Sequence, residues 1–160
     1  MSDTNLQALE RRIQKIEDIQ AIKDLKVVYA RACDDCYNPD KMADVFSEDA
    51  VWDGGEGWGR HESRKVIQDF FREARKDISF AVHYFVQPEI KLADDGQSAS
   101  ATWYLWQACT ISDTAMWLSA LEHDKYVKID GRWWQTEMIL DPFFVSPYED
   151  GWHKPEETMG

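Results

Sequence analysis

The chain has 160 residues, and 18 basic against 30 acidic side chains give it a formal net charge of −12. A surface of that sign repels phosphate backbones and anionic lipid headgroups, so nucleic acids and membrane surfaces are unfavourable partners. No apolar run approaches the roughly 20 residues that span a bilayer, and the charged N-terminus lacks the apolar core of a signal peptide. The length is that of one domain with its own core, so we expect a single domain over residues 1–160.

Composition also bears on the compartment and on the ligand. Three cysteines, an odd number, favour reduced thiols over a disulfide framework, so we expect a cytoplasmic protein. Eight Trp, seven Phe and six Tyr exceed the usual needs of a core of this size. Aromatic side chains also wall apolar binding sites, which favours a pocket for a flat small molecule.

A long amphipathic helix is predicted at the N-terminus. Apolar residues recur at steps of three and four from Leu6 to Val28, which indicates one helix over about residues 4–35. Pro39 ends it, because the residue before a proline avoids helical geometry, and then suits the first turn of a second helix reaching Phe46. The stripe over residues 1–16 extends beyond what a sheet needs, so we expect this extension to pack against another subunit.

A short strand and a third helix precede four longer strands. Residues 49–53 indicate a strand, residues 54–60 a glycine-rich turn, and residues 66–74 a helix. Alternation then indicates four strands, in the segments 79–92, 98–111, 116–129 and 132–145. The first is interrupted near Pro88, which cannot donate to a ladder, and Asp130-Gly131 is a two-residue hairpin loop. The tail, about residues 146–160, has no periodicity and is expected to be a surface extension or a lid.

This order predicts an α+β fold. Helices followed by an antiparallel sheet favour that class over a doubly wound one, and a curved sheet around a long helix leaves a concave mouth for a small ligand. Alternation along residues 98–111 places Trp103 and Gln107 on one face and Trp106 on the other.

Two cysteines, Cys33 and Cys36, lie one helical turn apart near the end of the first helix. A zinc site would need two further ligands at matching spacing, and neither Cys109 nor a pair of histidines supplies them. A redox pair would be expected at a helix N-terminus, where the dipole lowers the thiol pKa, and not beside two acids at a C-terminus. We therefore expect neither a metal site nor a cofactor here.

Four segments in order resemble the SnoaL-like branch of the nuclear transport factor 2-like superfamily, which includes dehydratases and dehydrochlorinases. They are "IEDIQAIKDLKVVYARACDD", "DKMADVFSEDAVWD", "AVHYFVQPEI" and "YVKIDGRWWQTE", within about residues 17–140. The resemblance implies a cone in which a curved antiparallel sheet wraps the long N-terminal helix, with two further helices. It also implies an apolar pocket and a homodimer or homotrimer.

The resemblance further implies three catalytic residues. Family enzymes place a Tyr and an Asp near the end of the first helix and a His on the strand after the third helix, which correspond to Tyr29, Asp34 and His83. At the position of Gln107, one enzyme of the family has an additional acidic residue. At the position of Met138 or Pro142, other family enzymes have an arginine. The substrate-binding candidates are Trp52, Phe85, Trp103, Gln107 and Met138.

The chemistry of this set favours elimination. A neutral imidazole can take a proton from a weakly acidic C–H bond, and a carboxylate on its other nitrogen fixes the tautomer and stabilises the imidazolium. No serine or cysteine nucleophile with a supporting motif is evident, so the proton comes from the substrate, while Tyr29 donates a hydrogen bond to a carbonyl or a departing hydroxyl. We therefore expect a cofactor-independent, dehydratase-type lyase that acts on a hydroxylated aromatic or polycyclic small molecule.

Other interpretations stay open. Cleavage of a carbon–carbon bond with release of an aldehyde from an aryl diol needs the same base, and so does an isomerase that moves a proton between carbons. The superfamily also contains proteins that bind small molecules without chemistry. In that case His83 and Tyr29 would be core residues whose polar atoms are satisfied internally.

Overall fold

The computed structural model describes residues 3–153. Its helices are α1 (Asp3–Asp34), α2 (Pro39–Met42), α3 (Gly55–Trp58) and α4 (Arg64–Ala74), and Gly151–His153 form a 3-10 turn. Its strands are β1 (Phe46–Asp53), β2 (Arg60–Glu62), β3 (Ile78–Leu92), β4 (Ser98–Ile111), β5 (Thr114–Ile129) and β6 (Arg132–Pro147). The predicted α+β class is confirmed.

One six-stranded sheet, in the order β2-β1-β6-β5-β4-β3, carries the fold. Strands β3 to β6 follow one another as antiparallel neighbours, as predicted, and β1 with β2 is antiparallel too. The pairing of β1 with β6 is parallel, which the purely antiparallel prediction missed. Long strands twist and coil, so the sheet curves around the second half of α1 and buries one face of it. The core lies between them.

Two local predictions were wrong. The second helix ends at Met42, and Phe46 begins β1 instead of ending the helix. Val45 and Phe46 are fully buried, and the Val45 carbonyl accepts a hydrogen bond from Gln135 N at 3.0 Å, so pairing with β6 overrides the helical pattern. The glycine-rich segment 54–60 is not only a turn, because it contains the one-turn helix α3. There are therefore three helices after α1 instead of two.

The predicted interruption near Pro88 is a β-bulge in a continuous strand, whereas the predicted Asp130-Gly131 hairpin loop is confirmed. At Pro88 the strand β3 continues, but its register with β4 shifts and Gln87 adopts a φ of 50°, which is a bulge that bends the strand. The β5–β6 loop has positive φ at both Asp130 and Gly131, as a type I′ hairpin turn requires.

The two ends of the described chain lie outside the core. Leu6, Leu9, Ile13 and Ile16 on α1 are 41–67% exposed, and their burial against another subunit stays a prediction. No helix within residues 3–153 is long and apolar enough to cross a membrane. At the other end, Trp152 packs edge-on against Trp106 at 5.9 Å, on the face of β4 opposite to Gln107. Residues 154–160 of the predicted tail lie outside the described residues.

Asp18 joins α1 to the β5–β6 hairpin. Its Oδ1 accepts hydrogen bonds from Lys128 Nζ at 2.6 Å and from Trp133 Nε1 at 2.9 Å, and the residue is 4% exposed. Burial opposes ionisation of this carboxyl, but the bonds from Lys128 and Trp133 outweigh it, so its pKa is lowered below 3.8. The charged form of Asp18 is therefore the one that stabilises the fold.

Replacing Asp18 by asparagine is expected to lower the free energy of unfolding by about 2–4 kcal/mol, because Lys128 keeps a half-buried charge without its counter-ion. Denaturant unfolding at neutral pH measures this, with the exposed Asp24→Asn on the same helix as the matched control. Because the folded-state pKa is lowered, the contribution of Asp18 is complete above the unfolded-state pKa and is lost as the pH falls through the folded value. The difference between wild type and Asp18→Asn should therefore shrink below about pH 4. A loss under about 0.5 kcal/mol at neutral pH would contradict this role.

Candidate active site

An apolar cavity with about 50 Å³ of interior space lies between the concave face of the sheet, the end of α1 and the helix α4. This is well below the roughly 300–1,000 Å³ of typical small-molecule sites. Aromatic and aliphatic side chains make most of its wall, among them Trp52, Trp58, Phe70, Phe71, Leu105, Leu118, Met138 and Leu140. The polar or titratable lining groups are Tyr29, Tyr37, His83, Gln107 and Glu122.

His83 and Asp34 form a hydrogen-bonded pair at one end of the cavity. His83 Nδ1 lies 2.8 Å from Asp34 Oδ1, and the His83 backbone N–H donates to the same oxygen at 2.9 Å. The His83 side chain is only 5% exposed, while that of Asp34 is 33% exposed. The last residue of α1 thus holds both the backbone and the ring of a residue in β3, which leaves Nε2 as the ring nitrogen on the cavity side.

Tyr37, which the sequence analysis did not select, contacts this nitrogen. Its hydroxyl lies 3.3 Å from His83 Nε2 and accepts a hydrogen bond from Gln107 Nε2 at 3.0 Å. Cys36 and Tyr37 both have positive φ, 53° and 50°, and this left-handed pair turns the chain back after α1 so that Tyr37 stacks on Phe71. Burial raises the pKa of Tyr37 well above its ordinary value, so the hydroxyl keeps its proton.

Tyr29 lines the cavity from one turn further up α1. Its hydroxyl accepts a hydrogen bond from Trp52 Nε1 at 3.1 Å, and the residue is 3% exposed. Burial raises its pKa well above the ordinary value. Because accepting a bond leaves the O–H proton in place, Tyr29 retains a proton to donate. The hydroxyl that contacts the His83 imidazole, however, belongs to Tyr37.

The structure divides the predicted substrate-binding residues between two surfaces. Trp52, Gln107 and Met138 line the cavity, whereas Phe85 and Trp103 line an open groove between α1 and β3. Trp103 does share the inner face of β4 with Gln107, as alternation predicted. Four residues of strand nevertheless separate the two by roughly 13 Å, which takes Trp103 out of the cavity wall.

A buried ammonium, which the sequence analysis also missed, lies beneath the cavity. Lys26 is 2% exposed and pairs with Glu122 and, at 2.9 Å, with Asp124, whose Oδ2 also accepts from Tyr126 at 2.6 Å. Desolvation lowers the pKa of Lys26, but the two carboxylates outweigh this, so its pKa is raised and it stays charged. Periodicity assigns such residues to solvent, so no sequence signal separated them from exposed charges.

Burial dominates the ionisation of Glu122. Desolvation raises the pKa of its carboxyl to about 7, Lys26 opposes this shift, and the nearby charge of Asp124 adds to it. The residue is 2% exposed and lines the same cavity as His83.

The cysteines differ in environment. Cys33 is buried, which raises the pKa of its thiol well above the ordinary value, and Cys36 is exposed. Nothing in this arrangement activates a thiolate. Within the described range 3–153, no group of three or more His, Cys, Asp or Glu side chains is placed to hold a metal ion.

Comparison with known proteins identifies a family and several solved structures that this chain resembles. The family of the SnoaL-like domain matches residues 14–139. A suggested aromatic ring hydroxylase of Novosphingobium aromaticivorans is 28% identical, with a TM-score of 0.76 over 84% of this chain and 96% of that one. A suggested scytalone dehydratase of the same organism is 16% identical, with a TM-score of 0.77 over 86% and 91% of the two chains.

A third similar structure is the hexachlorocyclohexane dehydrochlorinase LinA-type3 of Novosphingobium barchaimii. It is 15% identical, with a TM-score of 0.76 over 85% of this chain and 93% of that one. At these identities the second and third structures establish a shared fold and no more. The match to the SnoaL-like domain covers well over half of the 160 residues, so the protein belongs to the SnoaL-like family.

Proposed function

We propose that the protein is a cofactor-independent lyase that eliminates water from a hydroxylated aromatic or polycyclic small molecule. His83 is the general base, Asp34 orients it, and Tyr29 and Tyr37 are hydrogen-bond donors to substrate oxygens. The observation that carries this proposal is the His83–Asp34 pair at 2.8 Å, whose second ring nitrogen contacts the Tyr37 hydroxyl within an apolar cavity. A base without a neighbouring nucleophile points to abstraction of a proton from the substrate itself.

The His83–Asp34 pair has the features of a general base in a site from which water is excluded. A carboxylate on Nδ1 selects the tautomer whose Nε2 carries a lone pair, and it stabilises the imidazolium that forms. The Asp34 side chain is one-third exposed and contacts solvent. The His83 side chain is nearly buried, so little water reaches its ring nitrogens. Apolar walls strengthen each hydrogen bond made to charge developing on the substrate.

Tyr37 supports the same chemistry from a second side. Gln107 donates to the Tyr37 oxygen at 3.0 Å, and in the tautomer that Asp34 selects the Tyr37 O–H donates to His83 Nε2 at 3.3 Å. A substrate oxygen next to the abstracted proton would take over that hydrogen bond and free the Nε2 lone pair. The names of two similar structures, a dehydrochlorinase and a suggested scytalone dehydratase, also describe eliminations, which supports a lyase here.

Product mass tests the proposal. Wild type, His83→Ala and Asp34→Asn are incubated without cofactor with hydroxylated steroids, a phenyl-substituted β-hydroxy ketone and phenolic aryl-propane diols. We expect loss of one water with wild type. His83→Ala should lower kcat/KM by about 100- to 10,000-fold, the usual contribution of a general base. Asp34→Asn should also lower it, because an amide cannot stabilise the imidazolium. His123→Ala changes a half-exposed histidine on another face and is the matched control.

The other outcomes separate the alternatives. Release of an aldehyde would indicate a carbon–carbon lyase, and an unchanged mass with altered retention an isomerase. Gain of an oxygen atom would contradict elimination altogether. Retention of one compound without turnover, equal in wild type and His83→Ala, would indicate a binding module.

Removing the Tyr37 hydroxyl is expected to lower kcat by about 10- to 100-fold with a smaller change in KM, because its hydrogen bond strengthens as charge develops. Steady-state kinetics of Tyr37→Phe measure this. Tyr84→Phe, which removes an exposed hydroxyl from the same strand as His83, is the control. The free energy of unfolding should also fall by about 1–3 kcal/mol, because the Gln107 amide loses its buried hydrogen-bond acceptor. An unchanged kcat would exclude Tyr37 from the reaction.

A further inference from the structure

The first half of α1 extends away from the rest of the chain that the structure describes. Residues 5–17, called the arm below, are exposed apart from the half-buried Ala8, and burial begins at Asp18. The large aliphatic side chains of the arm, all 41–67% exposed, are Leu6, Leu9, Ile13 and Ile16. Single apolar residues on a surface are ordinary, but a contiguous apolar stripe marks a binding face.

The stripe of the arm does not face the protein's own sheet. Ile22, Leu25 and Tyr29 are the side chains that the second half of α1 buries in the core. At 3.6 residues per turn, the mean direction of the four aliphatic side chains lies about half a turn away from the direction of these three. A sheet extended along the helix would therefore meet the polar side of the arm. The partner of the stripe has to come from elsewhere.

The spacing within the stripe is that of a coiled coil. Steps of three, four and three residues from Leu6 to Ile16 place the aliphatic side chains at positions a, d, a and d of two consecutive heptads. The seam stops there, because Gln20 and Lys23 occupy the next a and d positions. The second half of α1, which the sheet holds, supplies the helix nucleus that an isolated segment of this length would lack.

The charges beside the seam distinguish a parallel from an antiparallel coil. Glu10 and Glu17 occupy e positions and Arg12 a g position, on opposite flanks of the stripe. In a parallel coil a g residue faces the e residue five positions further along the other helix, so Arg12 faces Glu17 of the partner subunit. In an antiparallel coil e faces e and g faces g, which brings like charges together. The charges therefore favour the parallel arrangement.

We infer that the arm is a self-association surface, at which arms of separate copies of this chain form a parallel, in-register coiled coil. The four aliphatic side chains form its seam, and Arg12 pairs with Glu17 of the partner subunit beside it. The arm lies at the opposite end of α1 from Asp34 and from the cavity. The inference therefore does not depend on the proposed function.

Cysteine cross-linking tests the arrangement, because each d position in a parallel, in-register coil meets its own counterpart. Leu9→Cys is made in the full chain together with Cys36→Ser, which removes the exposed native thiol, since the other two cysteines are buried. Oxidised glutathione should link the chains into a covalent dimer on a non-reducing gel. Arg11→Cys, at an f position on the outer side of the arm, is the matched control and should stay unlinked.

The antiparallel alternative gives a different cross-linking result. There the d position of Leu9 would meet the a position of Ile13 of the partner subunit. Leu9→Cys alone would then stay unlinked, whereas a mixture of Leu9→Cys and Ile13→Cys chains would form the covalent dimer. That result would overturn the parallel arrangement.

A charge placed in the seam is expected to separate the copies. Size-exclusion chromatography with light scattering should give wild type a mass of at least two chains of 18.7 kDa. Ile13→Asp should raise the dissociation constant by at least about 100-fold, because association would bury carboxylates without counter-ions. Gln7→Asp adds the same charge at an exposed b position and is the matched control. Circular dichroism checks that both variants are folded.

Charge exchange tests the predicted ion pair. Arg12→Glu and Glu17→Arg should each raise the dissociation constant by about 3- to 10-fold, because each sets like charges beside the seam. The double variant exchanges the two charges and should restore the wild-type constant. Equal weakening in the double variant would exclude this pair.

The remaining outcomes concern the arm as a whole. A wild type that stays monomeric at every concentration measured would overturn the inference. So would an oligomer whose mass and dissociation constant are the same for wild type and Ile13→Asp, because another surface would then hold the copies together. None of these measurements uses a substrate, so failure of the proposed lyase activity would leave their interpretation unchanged.

Discussion

The alignment of α1 within the curved sheet depends on three charged residues spaced eight apart along the helix. Asp18 is bonded to Lys128 and Trp133, Lys26 pairs with Glu122 and Asp124, and Asp34 is bonded to His83. Apolar packing alone would tolerate a helix displaced by one turn, because one aliphatic contact replaces another. A displaced helix would leave Lys26 buried without its counter-ions, which costs about 3–5 kcal/mol.

The same constraint builds the candidate site. The alignment that pairs Lys26 with Glu122 also brings Asp34 to His83, because both belong to one rigid helix. It places Tyr29 next to Lys26, 4.9 Å from its ammonium to the ring centre, with its hydroxyl against Trp52. The left-handed turn after α1 then returns Tyr37 to His83 Nε2. A cavity with apolar walls thus carries a small number of polar groups, each held by a hydrogen bond or an ion pair to another side chain.

The sequence was sufficient for the parts that depend on local pattern. Periodicity predicted α1, the four long strands and the Asp130-Gly131 hairpin, because side chains at regular spacing report which face is buried. Residues in register with a known family predicted that Asp34 and His83 would be neighbours. The sequence was insufficient where tertiary contacts determine the secondary structure. Phe46 is an example, because its pairing with β6 overrides a helical pattern.

Both unpredicted parts of the site have a physical reason. Tyr37 reaches the cavity only because two consecutive residues adopt positive φ, a conformation that neither Cys36 nor Tyr37 favours. Lys26, Glu122 and Asp124 are buried because the ammonium pairs with two carboxylates that lie 96 and 98 residues further along the sequence. In a single sequence such charges are indistinguishable from those of a solvated face.

Removal of a carbon-bound proton by His83 is the central claim, and hydrogen exchange measures it without requiring any leaving group to depart. A phenyl-substituted ketone without the hydroxyl is incubated in D₂O with wild type or His83→Ala, and NMR follows the signal of the protons next to the carbonyl. Exchange catalysed by wild type and absent with His83→Ala is the expected result. Equal exchange with both proteins, or none with wild type while the ketone is demonstrably bound in the cavity, would contradict His83 as the base.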